Sequence, residues 1–286
     1  AGGFDSFKET HRAQYFNPDG DGVLFLEKVI RFGAKYQESQ NSAQTSLFGE
    51  TADQVYQELI IPPAEPWDNL SQLKKERAVV GIYISGHPLD DFKKEMEWFT
   101  NAQMMQLKDL KPWVKKNLAV AGIVNDIQHL ESRNGKGWAR FSVEDFTDQF
   151  EFRIFGEEYL KFRHFITINQ FIRIKISVKE GWRNQETGRV GEPRIQFVAF
   201  EMLHDTLSKN SKKLTLQLDI RQLESDRIKH LKNELKSFRG DKPLYFDVID
   251  PKKPVKLTVP SKKQKVAISQ KLLTVLDQNQ WHYKLN

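Results

Sequence analysis

The chain has 286 residues, 39% of them hydrophobic and 29% charged, with a net charge of +6 and no cysteine. Disulfides, thiolate metal sites and cysteine nucleophiles are therefore excluded, and no apolar run approaches the ~20 residues a membrane-spanning helix needs. The charge is uneven: residues 206–286 hold 18 Lys and Arg against 8 Asp and Glu. A basic tail on a nearly neutral body points to an acidic partner such as a nucleic acid, or to a solvated lysine-rich surface.

Residues 1–40 read as helical, with Leu24, Leu26, Val29, Ile30 and Phe32 through Tyr36 approximating an apolar stripe at helical spacing. The Asn17–Gly22 stretch looks like a calcium-binding loop, but its twelfth position is Lys28 where the ion needs a bidentate Glu. It is read instead as a polar turn before a helix. Residues 41–66 form a linker by composition, closed by Pro62, Pro63 and Pro66. Inside it lies one apolar island, Leu47-Phe48, preceded by Gln44 and Ser46. Such a segment either inserts Leu47 and Phe48 into a partner's apolar pocket, with Gln44 at the rim, or folds back on its own protein.

Residues 67–116 return to helical patterning: a helix near Leu70–Tyr83, a turn at Gly86-His87-Pro88, and Asp90 capping a helix to about Trp98. From Leu118 the period becomes two. Val120–Val124 is a first strand, resumed beyond a bend at Ile127–Glu131, and Ser132–Gly137 with its Asn-Gly pair is a hairpin turn. Trp138–Glu144 and Gln149–Phe155 are the second and third strands, followed by a helix at 156–165. Gln170–Lys179 and Arg194–Leu203 are the fourth and fifth. Five strands with a helix after the third is the order of an OB-fold, a partly open five-stranded β-barrel, over 117–205. The last segment, 206–286, alternates Leu214, Leu216, Leu218 and Ile220, then adds a helix near Ser225–Ser237, further strands at Tyr245–Ile249 and Val255–Val259, and a helix near Ser269–Leu276. The fold class is multidomain α+β, the barrel joined to helical segments and a small basic C-terminal α+β domain.

In such a barrel, strands two and three with the first and fourth loops carry single strands, by stacking and positive charge. Alternation turns Ala139, Phe141 and Val143 inward, with Phe150, Phe152 and Ile154, and leaves Trp138, Arg140, Ser142, Glu151 and Arg153 outside. On strand four, Arg173, Lys175 and Lys179 face out. With Arg133 and Lys136 of the first loop, the candidate nucleic-acid-binding set is Arg133, Lys136, Trp138, Arg140, Arg153, Lys175 and Lys179. Trp182 is a second stacking candidate. Residues 117–205 hold 12 basic and 13 acidic side chains, so affinity is expected to be modest, and a barrel serving mainly as a protein contact stays open. No nucleophile elbow, phosphate-binding loop, paired-His motif or spaced carboxylate set marks catalysis or a metal.

Three motifs in order, Ala1-Gly2-Gly3-Phe4-Asp5 with His11-Arg12-Ala13, Gln44-x-Ser46-Leu47-Phe48-Gly49, and Gly81-x-Tyr83-x-Ser85-Gly86-His87-Pro88-Leu89, closely resemble the C-terminal third of the bacterial DNA polymerase III alpha subunit. Ala121–Val124, Val143-Glu144-Asp145 and Phe150-Glu151-Phe152 fit as well. The resemblance covers most of residues 1–205. It implies that 1–40 end a helix-hairpin-helix region on duplex DNA, that Gln44, Ser46, Leu47 and Phe48 bind the sliding clamp (the beta subunit), and that 117–205 binds single-stranded template. The C-terminal domain would contact the clamp-loader tau subunit, and the location would be cytoplasmic. Nucleotidyl transfer and its Mg2+ would lie in a polymerase domain upstream, Ala1 being inside a longer chain, so this segment is expected to need no cofactor. The alternative is a stand-alone OB-fold protein that binds single-stranded nucleic acid without polymerase activity.

Overall fold

The computed structural model describes residues 2–18, 20–43, 59–183, 190–250, 252 and 255–286. The chain divides into two compact units, Ala1–Pro88 and Leu89–Asn286.

The first unit is helical. α1 (Arg12–Tyr15) and α2 (Phe25–Ala43) flank a short loop that Pro18 and Leu24 close by bridging. α2 runs through Ala43 and so enters the polar stretch, since Gln, Glu and Ser tolerate helix where no Pro or Gly intervenes. α3 (Asn69–Val80) starts where the Asp68 carboxylate accepts from Ser71 N at 2.6 Å. It stops at Gly81, whose φ of +87° gives the left-handed turn that frees its N–H for the Arg77 carbonyl. Among the described residues of this unit, an ion pair on a buried carboxylate joins its segments. Arg12 binds Glu76 at 2.5 Å and grips the Asp5 carboxylate with Nε and Nη2. Glu76 also accepts from the Ile84 and Ser85 N–H groups and from Ser85 Oγ.

The second unit contains two sheets. Its first helix, α4 (Lys93–Phe99), is preceded by a 3-10 turn at Asp90–Phe92. Asp90 therefore does not cap α4; it lies inside that turn and pairs with Lys93 at 2.8 Å. The first sheet comprises β1 (Asn117–Glu131), β2 (Gly137–Glu144), β3 (Gln149–Phe155), β4 (Phe171–Lys179) and β5 (Arg194–Met202). The order is β3-β2-β1-β4-β5 and every pairing is antiparallel. α5 (Gly156–Phe162) separates β3 from β4, as the strand count anticipated.

β1 serves two partners because it is long and bulged. Residues 117–123 pair with β4 and residues 123–131 with β2, the latter with a register shift between Val124 and Asp126. Gly122 sits at this crossing, where a Cβ would lie 2.2 Å from the Glu144 carbonyl oxygen, so only glycine fits. Phe141, Phe152, Ile154, Ile172, Ile174 and Ile176 are buried within the core.

The second sheet has the order β8-β7-β6-β9. β6 (Leu214–Asp219) runs parallel to β7 (Arg239–Asp250), with α7 (Ser225–Ser237) as the crossover after α6 (Thr206–Asn210). β8 (Val255–Val266), α8 (Gln270–Gln278) and β9 (His282–Leu285) complete it. Leu231, Leu235, Leu272 and Leu276 from the helices bury Leu214, Leu216 and Leu244 of the sheet. β9 was not anticipated, because four residues are too few to establish a period.

Candidate nucleic-acid interface

Strand register assembles the outer face of β1, β2 and β3. Leu130 lies opposite Trp138, and Trp138 opposite Phe155, which makes one apolar row. Two residues along each strand, Gln128, Arg140 and Arg153 make the next row. The third row contains Asp126, Ser142 and Glu151.

The first row is a ring platform. Trp138 and Phe155 stack with centroids 5.2 Å apart and planes 19° from parallel, and Phe155 remains 55% exposed. The second row is cationic. Arg140 Nη2 donates to Gln128 Oε1 at 2.8 Å, which fixes the guanidinium against the sheet. Arg153 donates from Nε and Nη2 to Glu151 Oε1 at 3.2 and 3.1 Å.

The platform continues over the edge of β3 into a groove of about 740 Å³. Phe150, Arg153 and Phe155 form one wall; Arg194, Ile195 and Gln196, at the start of β5, form the other. Lys179, from the end of β4, and Trp182, just after it, also line it. Trp182 is 76% exposed, with the Arg194 guanidinium 4.2 Å from the ring centre. Glu158 of α5 completes the lining and accepts from Phe197 N at 3.2 Å. Burial pushes its carboxyl above the ordinary range, against that hydrogen bond and the nearby Arg194 charge. Arg153, Lys179 and Arg194 thus face the groove together with the carboxylates of Glu151 and Glu158.

The sequence-derived set is only partly gathered here. Trp138, Arg140, Arg153 and Lys179 meet on the platform or in the groove. Arg133 and Lys136 are exposed on the β1–β2 turn, just beyond the Leu130–Trp138 row. Lys175 lies elsewhere: it faces Ala119 on β1, nine residues from Gln128 and roughly 30 Å along the strand, and binds Glu201 at 3.1 Å. Arg173 is not free on the outer face. Its Nε donates to the Phe99 carbonyl at 2.7 Å and its Nη1 binds Glu201, so α4 and a carboxylate cover it. Burial raises the Glu201 carboxyl, but hydrogen bonds from Asn210 and Lys175 and the Arg173 charge outweigh that and hold it low. Gln44, Ser46, Leu47 and Phe48 lie outside the described residues.

Phe155 and Arg194 are among the groove residues that the sequence reading did not place there. Phe155 shares the parity of Arg153 and was available from alternation alone. Arg194 was not, because nothing local reveals which strand edges face each other. Among the described residues no group of three or more His, Asp or Glu is placed to hold a metal ion, and none is long and apolar enough as a helix to cross a membrane.

A family model described as the C-terminal domain of the DNA polymerase III alpha subunit matches residues 214–286, beginning at the first residue of β6. The DNA polymerase III alpha subunit of Thermus aquaticus is 25% identical over 253 residues, covering 88% of this chain and 19% of that protein. That of Campylobacter jejuni is 28% identical over 156 residues, 54% of this chain and 12% of that protein. The chain spans about a fifth or less of the length of these curated relatives. Among solved structures, a small single-stranded DNA-binding protein from Streptomyces coelicolor is 12% identical with a TM-score of 0.17, covering 31% of this chain and 94% of that one. Over most of its length the chain is similar to the C-terminal part of DNA polymerase III alpha subunits.

Proposed function

We propose that this chain acts as the C-terminal, non-catalytic segment of a bacterial DNA polymerase III alpha subunit, and that its first sheet closes as an OB-type barrel holding single-stranded template. The strand order, the helix between β3 and β4, and the facing of β3 and β5 across the groove support the barrel. Phe197 of β5 lies 5.8 Å from Phe152 of β3 beneath that opening.

The observation that carries the binding reading is the continuity of rings and cations. Leu130, Trp138 and Phe155 form a step for unstacked bases, Arg140 and Arg153 flank it, and Trp182 with Arg194 waits in the groove. Rings stack on any base, and guanidinium groups beside them take the phosphates, which is the chemistry of sequence-tolerant single-strand binding. The near-balanced charge makes this one weak contact among several.

The other contacts follow the similarity to alpha subunits. The end of a helix-hairpin-helix region in residues 1–40 meets primer-template duplex, Gln44, Ser46, Leu47 and Phe48 dock on the sliding clamp, and the basic 206–286 domain meets the tau subunit of the clamp loader. Nucleotidyl transfer is assigned to no residue of this chain, and it is given no cofactor.

Phe155→Ala tests the template surface. Removal of a stacked ring is expected to weaken single-stranded oligonucleotide binding by ~1–3 kcal/mol with the fold intact. A titration that overlays the parent would place the surface wrongly.

A further inference from the structure

The platform has a carboxylate at its centre that a phosphate-binding surface does not need. Arg140 and Arg153 are direct cross-strand partners, an unfavourable juxtaposition of like charges. Glu151 lies one row away, opposite Ser142, and reaches back to both. Its Oε1 accepts from Arg153 at 3.1 and 3.2 Å, and its Oε2 lies 3.6 Å from Arg140 Nε. That last distance is too long for a hydrogen bond, and Arg140 Nε is buried without a hydrogen-bond partner. One carboxylate therefore divides itself between two guanidinium groups and satisfies Arg140 incompletely.

We propose that Glu151 sets the affinity of this surface by occupying, in the unliganded protein, the two arginines that a backbone phosphate engages. The inference rests on the reading of the platform as a single-strand site. A backbone phosphodiester carries one negative charge and two free oxygens, as Glu151 does, and relieves the Arg140–Arg153 repulsion in its place. Binding therefore exchanges one anion for another, and the net gain per phosphate is small. Such a surface grips weakly and releases readily, which suits a template that must slide. Glu151 thus has two opposite effects: it steadies the free sheet and opposes the ligand.

These opposite signs make the test. The full chain is titrated with a labelled oligothymidylate of about 16 nucleotides, the upper site size of one OB domain. Glu151→Gln is expected to bind roughly three- to tenfold tighter than the parent, two exposed ion pairs having been removed from competition. Its thermal midpoint without ligand is expected to fall slightly. Glu151→Asp, which withdraws the carboxylate by one methylene, should lie between them. Glu157→Gln removes the same charge from an exposed position on α5 outside the platform and should change affinity less than twofold. The gain should vanish when Arg140→Ala and Arg153→Ala are added. If the parent binds but Glu151→Gln binds no tighter than Glu157→Gln, Glu151 has no such role. If neither the parent nor Glu151→Gln binds at low salt, the single-strand reading falls, and this inference with it.

Discussion

Arg12 Nη1 lies 2.5 Å from Glu76 Oε1, although the two residues are 64 positions apart. The contact ties two of the sequence motifs together through α3: Asp5 and Arg12 belong to the glycine-rich start, and Ser85 holds Glu76 from the Ser-Gly-His-Pro turn. Those motifs are recognisable in sequence as separate strings. In space they are one hydrogen-bonded network, and the need to satisfy a buried carboxylate explains why each string has its residues.

Arg12→Ala should leave the Glu76 carboxylate buried without its cation. The N-terminal unit is expected to lose about 2–4 kcal/mol, read by denaturant unfolding. Glu76→Gln, which keeps acceptor and size, should cost less than Glu76→Ala.

The same network predicts acid sensitivity. Burial raises the Glu76 carboxyl, but hydrogen bonds from Arg12 and Ser85 outweigh it and bring it down to about 2 from an ordinary 4.5. A carboxyl lowered by folding stabilises above its unfolded value, and that contribution disappears as pH falls toward the folded value. The unit should therefore lose up to ~3 kcal/mol between about pH 4.5 and pH 2. Glu76→Gln should flatten that part of a stability-versus-pH curve, and an unchanged slope would remove Glu76 as its source.

Position on the sheet, rather than charge alone, should decide which cations bind template. Arg153→Ala is expected to weaken oligonucleotide binding several-fold and to reduce the salt slope by about 0.7, the value of one lost phosphate contact on a single strand. Lys175→Ala should leave both unchanged, because Lys175, on β4, is engaged by Glu201 of β5 and does not line the groove. Equal losses in the two variants would mean that the strand takes another path.

The linker motif is tested directly. Replacing Leu47 and Phe48 together with alanine should abolish binding to a sliding clamp in surface plasmon resonance, without altering far-ultraviolet circular dichroism. Unchanged clamp affinity would return the motif to an ordinary linker.

The sequence by itself determined the element order of the first sheet and the parity of its strands. A period-two pattern ending at Gly, Asn and Asp turns is local information, and Ala139, Phe141 and Val143 are buried as alternation requires. The sequence also carried most of the platform, since Trp138, Arg140 and Arg153 share the outward parity. Only the tertiary structure decided what becomes of an outward residue. Alternation places Arg173 and Arg153 on the same footing, yet one is covered by the Phe99 carbonyl and Glu201 while the other lines a groove. It likewise decided that Lys175 stands apart from the platform, because the part of β1 that it faces pairs with β4 and not with β2. Arg194 enters the groove for the converse reason: two strand edges distant in the chain face each other there. Burial by a distant segment and the meeting of distant edges are set by long-range packing, and no local period encodes them.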